Sequence, residues 1–161
     1  GSIAYGEINN LAYFDNIIID NYNRFNVEYR NVWQLHANAR YDKRINNLVS
    51  LNINADYYNW NEEVSHKPNL TFDISAPINL RDKIKVKPTF SYFGKRNSGV
   101  FQPDFKELPA QFHFNLGLQY NYSKILSAYL QLNNLNGSNK ELWRDYQEIG
   151  FNGVFGLSYS F

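Results

Sequence analysis

The chain has three histidines, His36, His66 and His113, and histidine is the side chain whose ordinary pKa suits general-base work or metal binding near neutral pH. His36 and His113 fall on the polar side of two separate strand-like stretches. Hydrogen bonding to neighbours is the simpler reading of such residues. There is no cysteine, which excludes disulfides, thiolate metal sites and thiol nucleophiles. No nucleophile-plus-base spacing, phosphate loop or metal motif occurs. Glu28, Arg30, Arg40, Asp56, Asp73, Lys85 and Lys87 share the polar side and are expected to pair with one another. The chain is therefore expected to be no enzyme and to carry no metal or cofactor. The remaining chemistry lies in aromatic residues of the connectors, Phe101, Trp143 and Tyr146. These either contact a ligand or partner, or cap the fold and lie at a lipid interface.

The elements that must position these residues alternate with period 2. From Phe25 to Tyr41 the odd positions Phe25, Val27, Tyr29, Trp33, Leu35, Ala37, Ala39 and Tyr41 are apolar, and the even ones are mostly polar. A helix would scatter these residues around a cylinder; a strand puts them on one side. The same pattern recurs through Leu51 and Ile53, through Phe72 and Ile74, and through Ile84 and Phe90. It returns through Leu116 and Leu118, through Leu130 and Leu132, and through Phe155 and Leu157. A weaker first strand runs from Ile3 to Phe14, interrupted by Glu7 and Asn9, and is followed by a polar connector containing Ile17-Ile18-Ile19. That makes eight strands and no helix, in one segment spanning 1–161. Connectors are long after the first, third, fifth and seventh strands and short after the others, so one rim is elaborated. Pro77 and Pro88 should cause a bulge or locally broken pairing near the short-turn rim, since each lacks a donor.

Composition decides which side faces out. The net charge is +1, without a basic run, so nucleic acid is not an expected partner. No stretch is long and apolar enough for a transmembrane helix. The mean hydropathy of −0.54 does not exclude a membrane barrel, because its strands hide half their residues from lipid. A soluble barrel would be apolar inside and a membrane barrel apolar outside. Three features favour outside. Aromatics such as Tyr5, Tyr13, Tyr57, Tyr92, Phe112 and Tyr159 sit at strand ends, as interfacial girdles do. The opposite side is rich in Asn, Gln, Ser and Thr. The apolar side is nearly free of charge from the second strand onward. The expected fold is all-β: an antiparallel up-and-down transmembrane β-barrel, or the C-terminal eight strands of a larger one, with short periplasmic turns and long extracellular loops. Leu51, Ile53, Phe72, Ile74, Leu116, Leu118, Leu130, Leu132, Phe155 and Leu157 are the expected lipid-facing residues.

Residues near the end of the chain carry a family resemblance. Leu130-Gln131-Leu132-Asn133-Asn134-Leu135, then Trp143 and Tyr146, then Gly150-Phe151 and Gly156-Leu157-Ser158-Tyr159-Ser160-Phe161 resemble the end of a TonB-dependent receptor barrel in the Bacteroidetes style. His66-Lys67-Pro68 and Asn79-Leu80-Arg81-Asp82-Lys83 fit the same pattern. The resemblance implies the C-terminal barrel part of an outer-membrane transporter in a diderm bacterium. It implies membrane lipid, the missing N-terminal strands and plug, or another chain, as partners. Family barrels have about 22 strands, and neither a plug nor a TonB box is seen in these residues. Gly156, Tyr159 and Phe161 resemble the signal read by the barrel-assembly machinery, with Val154 standing where a polar residue is usual. Gly156 is expected on the lumen side, where a missing side chain eases curvature. The alternative is a self-contained eight-stranded barrel that binds a partner through its loops. Pairing of the first strand with the last separates the two.

Overall fold

The protein is described by a computed structural model that covers residues 1–19, 22–98, 106–137 and 140–160, with backbone alone at 15–19, 22, 23 and 25. The strands are β1 (Ser2–Ile19), β2 (Tyr22–Arg44), β3 (Ser50–Trp60), β4 (Leu70–Ser75), β5 (Ile78–Leu80) and β6 (Ile84–Phe93). They continue as β7 (Arg96–Asn97), β8 (Glu107–Leu108), β9 (Gln111–Asn121), β10 (Leu126–Asn133), β11 (Glu141–Trp143), β12 (Tyr146–Gln147) and β13 (Asn152–Tyr159). One antiparallel sheet runs β1-β2-β3-β4-β6-β9-β10-β13, with β5 continuing β4 beside β6. This gives the eight positions expected from the sequence. Two small hairpins, β7–β8 and β11–β12, lie in the long connectors. Among the described residues β1 pairs only with β2 and β13 only with β10, so the sheet does not close on itself.

Register puts the apolar residues on one continuous face. Directly opposed residues of an antiparallel pair project to the same side. Ile53 opposes Ile74, Ile74 opposes Phe90 and Phe90 opposes Phe114. Leu118 opposes Leu130, which opposes Phe155. At the long-loop end Phe72, Phe90, Tyr92, Phe112 and Phe114 form a run of ring contacts with centroids 4.8–5.9 Å apart. The opposite face carries the polar ladder, in which Asn38 donates to Asn54 and Asp56, and His36 meets Asp56 at 2.8 Å.

The first hairpin departs from the expected pattern in two ways. The segment read as a polar connector is strand: β1 continues to Ile19 and only residues 20 and 21 separate it from β2. The elaboration after the first strand is therefore strand length, not loop length. From Leu11 upward, among the described residues, β1 and β2 pair only with each other, because β3 stops at the Gln34–Trp60 pair. The second departure is Tyr13, expected in an outer girdle but fully buried on the inner face. Between Ile8 and Leu11 the register shifts by one residue, with Asn10 at φ 57° and its N–H donated to Asn31 Oδ1. Asparagine tolerates this left-handed geometry better than most residues. The extra residue inverts facing, as any β-bulge of this kind does. Tyr13 then packs with Val32 and Val64 beneath the Arg30 guanidinium, 5.2 Å from the ring centre.

The prolines act as expected, without a slip in register. β4 stops at Ser75 and β5 starts at Ile78 on the same pairing with β6. Ala76 N–H donates to the Pro88 carbonyl and Ser50 N–H to the Pro77 carbonyl. Proline nitrogen carries no hydrogen, so neither bond has its reciprocal. The short turn after β5 has Arg81 and Asp82 at φ 50° and 56°, with Lys83 N–H donating to the Leu80 carbonyl. Two positive central φ values mark the turn type that matches strand twist in two-residue hairpins.

Candidate functional site

At the long-loop end the inner face is not polar. Tyr58 and Trp60 of β3 and Phe93 of β6 keep the parity of the inner face there, but are aromatic where the rest of that face is polar. They border a cavity of about 460 Å³, within the usual range for ligand sites. Tyr58 stacks on His36 at 4.4 Å and lies 6.1 Å from Trp60. The connector after β3 supplies His66 and Lys67, and the β11–β12 hairpin supplies Trp143. His66 and Trp143 stack with centroids 4.1 Å apart, and Phe14 meets Trp143 edge-on at 5.6 Å. Lys67 Nζ lies 5.4 Å from the Trp60 ring centre, and desolvation there holds its pKa below the ordinary amine value.

Polar contacts fix the hairpin that carries Trp143. Arg96, only 5% exposed, donates from Nη2 to the Glu141 carbonyl at 3.2 Å, and Gln111 donates to the same oxygen at 2.6 Å. Lys106 pairs with the Glu141 carboxylate at 2.8 Å, and its hydrogen bond holds that carboxyl below the usual carboxylate range. His113 Nδ1 meets Glu148 Oε1 at 3.1 Å. Two buried donors on the lining, Arg96 Nε and Trp60 Nε1, have no protein partner among the described residues. No carboxylate lines the cavity among the described residues. The site therefore offers flat apolar walls, two cationic groups and spare donors. Such a site suits an anion with a planar face.

The residues singled out from sequence distribute as follows. Trp143 lines the cavity; Tyr146 is exposed on the neighbouring strand β12; Phe101 and Phe161 lie outside the described residues. His36 and His113 each meet a carboxylate and are not brought together into a metal cluster among the described residues. Glu28 pairs with Arg30, which also reaches Glu62 at 3.7 Å, Arg40 pairs with Asp42, and Asp56 with His36. Gly156 and Tyr159 lie on opposite faces of β13, opposite Tyr129 and Leu126 of β10. Sequence reasoning missed Tyr58, Trp60, Arg96 and Tyr129. The signal for two of them was Tyr57-Tyr58-Asn59-Trp60, where aromatics occupy both parities at a strand end.

Comparison with solved structures agrees with this geometry. The pyoverdine outer-membrane receptor of Pseudomonas aeruginosa PAO1, bound to pyoverdine, matches 99% of this chain with a TM-score of 0.73 at 15% identity. The chain has the fold of a TonB-dependent receptor barrel. A mutant of the ferric enterobactin receptor of the same species matches 99% at a TM-score of 0.72 and 15% identity. The ferric-catecholate import receptor Fiu of E. coli K12 matches 98% at 0.70 and 12%. The chain spans only 27%, 28% and 24% of the lengths of these receptor chains. No protein-family model and no curated protein matches it.

Proposed function

We propose that the chain builds eight adjacent strands in the wall of an outer-membrane, receptor-type transport barrel of a diderm bacterium, and that it performs no catalysis. The carrying observation is the two-faced sheet, apolar outside and polar inside, left open at both β1 and β13. Lipid leaves no backbone group unpaired, so such edges need neighbouring strands. The open edges favour a part of a larger barrel over the self-contained one. The test uses single cysteines introduced in pairs, one within residues 2–7 and one within 152–159, in a chain without native cysteine. No pair is expected to form an intramolecular disulfide in membrane-assembled protein. A disulfide between β1 and β13 would establish the self-closed barrel instead.

The cavity at the long-loop end is the vestibule of this barrel and takes a flat anionic ligand of the ferric-catecholate kind. An anion seated there would offset the desolvation of Lys67 and satisfy Arg96 Nε and Trp60 Nε1. Titration of membrane-assembled protein with a ferric catecholate should quench tryptophan fluorescence. Lys67→Gln and Trp60→Phe should each weaken binding by roughly tenfold, the equivalent of one charge-assisted hydrogen bond. Equal binding of an uncharged catechol ether, or unchanged affinity in both variants, would remove the vestibule from this reading. Gly156, Tyr159 and Phe161 serve as the segment read by the barrel-assembly machinery during biogenesis.

A further inference from the structure

Gly156 lies on the inner face of β13, directly opposite Tyr129 of β10. A Cβ built on Gly156 would sit 2.3 Å from Tyr129 Cζ, 2.4 Å from its hydroxyl oxygen and 2.5 Å from Cε1. The tyrosine ring therefore occupies the volume that a side chain at 156 would need. The other glycines of these last strands differ. A Cβ on Gly117 meets nothing closer than 3.7 Å, and one on Gly153 meets Leu132 at an ordinary 3.4 Å. Apart from His113, Tyr129 is the one ring on the inner face of β9, β10 and β13. Gly156 was expected on the lumen side, as a position whose missing side chain eases curvature; on that side the Tyr129 ring lies over it.

We propose that Tyr129 and Gly156 form a register lock that selects the pairing of β13 with β10, so that recognition of the last strand depends on the inner face as well as on Tyr159. The proposal rests on the reading of the chain as a membrane barrel. The alternation of β13 cannot supply this selection. A slip by one residue is rejected, because it would turn Phe155 and Leu157 inward. A slip by two residues keeps every outer residue outside: Leu130 would then face Gly153 or Leu157 in place of Phe155. Two-residue slips also keep the ladder hydrogen bonds. They differ at Tyr129, which would face Val154 or Ser158, each carrying a Cβ where the ring now lies. Only the register that presents Gly156 admits the ring in the orientation it has here; in the others the half-exposed ring has to turn away. The lock is thus steric: a side chain on one strand and a gap on the next, meeting at a single alignment. Tyr129 is a positioning residue, since it acts through the alignment of its neighbour.

The test reads register directly. In the native register Gln131 opposes Val154. The pair Gln131→Cys with Val154→Cys reports that alignment, and Gln131→Cys with Asn152→Cys reports a slip by two. The parent and Tyr129→Phe should cross-link only through the native pair and assemble equally, because the ring and not the hydroxyl fills the gap. Tyr129→Ala should give cross-links through the slipped pair and a several-fold loss of heat-modifiable protein in outer-membrane fractions. Gly156→Tyr alone should assemble poorly, and the swap Tyr129→Gly with Gly156→Tyr should restore native cross-linking. Native-only cross-linking at parental yield in Tyr129→Ala, or a swap no better than Gly156→Tyr, overturns the lock. If the parent, produced together with the neighbouring strands that its open edges need, fails to reach the outer membrane, the barrel reading falls. The cross-link pattern in detergent-refolded protein still decides the lock in that case.

Discussion

Leu116→Arg and Leu130→Arg should each lower folding stability in a bilayer by roughly 2–4 kcal/mol, the cost of a cation near the lipid midplane of a barrel. Leu116 lies between Pro88 of β6 and Leu132 of β10, and Leu130 between Leu118 and Phe155. Neither arginine would find an acidic neighbour on that face, and the aromatic run lies toward the long-loop rim. Gln131→Lys is the matched control on the inner face. It should change stability by only about 0.5 kcal/mol, as surface substitutions do. Asn115 would be a poor control: its Oδ1 accepts the Asn134 N–H at 2.9 Å, and that bond anchors the start of the following connector. Unfolding midpoints in phospholipid vesicles provide the measurement. Comparable losses on both faces would overturn the outward assignment of the apolar side.

Tyr159→Asp should produce the largest loss in assembled protein. Tyr159 pairs with Leu126, is 58% exposed on the outer face, and adjoins the short-turn rim, where Ser160 N–H donates to the Ile125 carbonyl. A carboxylate near the lipid interface costs little in final stability. Its effect should therefore appear in how much chain is recognised and zipped into the membrane. A several-fold drop in heat-modifiable protein is expected for Tyr159→Asp and for deletion of Phe161. Ser160→Asn, which points inward and is exposed, should assemble like the parent. If Ser160→Asn fails while the Phe161 deletion succeeds, both the facing and the assembly role of this segment are wrong.

The sheet was legible because its two faces carry opposite compositions on alternate residues, and that pattern repeats along the strands. It was least legible where the pattern lapses. Above the rim β1 and β2 need no apolar face, so their polar composition resembled a connector although the backbone remains strand. Tyr13 was misplaced because one added residue at Asn9-Asn10 inverts parity, and the only sequence trace was the interruption by Glu7 and Asn9. The cavity was mostly hidden, since it joins β2, β3, β4, β6 and three connectors. Trp143 could be suspected as a loop aromatic, but its stacking on His66 depends on the hairpin being held by Arg96 and Gln111. The proline break was readable because a missing donor is a property of the residue itself.

The long first hairpin has a mechanical consequence. From Leu11 to Ile19 it is a two-stranded ribbon, about 30 Å long at the usual rise per residue, and among the described residues its contacts with the rest of the molecule lie near its root. Such a ribbon is a lever. A rocking of about 10° at the root would carry its tip about 5 Å, while atoms near the pivot would travel only a fraction of that. The pivot is not isolated from the rest of the molecule: Phe14 N–H is held by Ser65 Oγ at 3.2 Å, and the Phe14 ring bears on Trp143. Large, weak displacements at the far end of the ribbon are thereby geared down into small, stiff ones at the wall of the cavity.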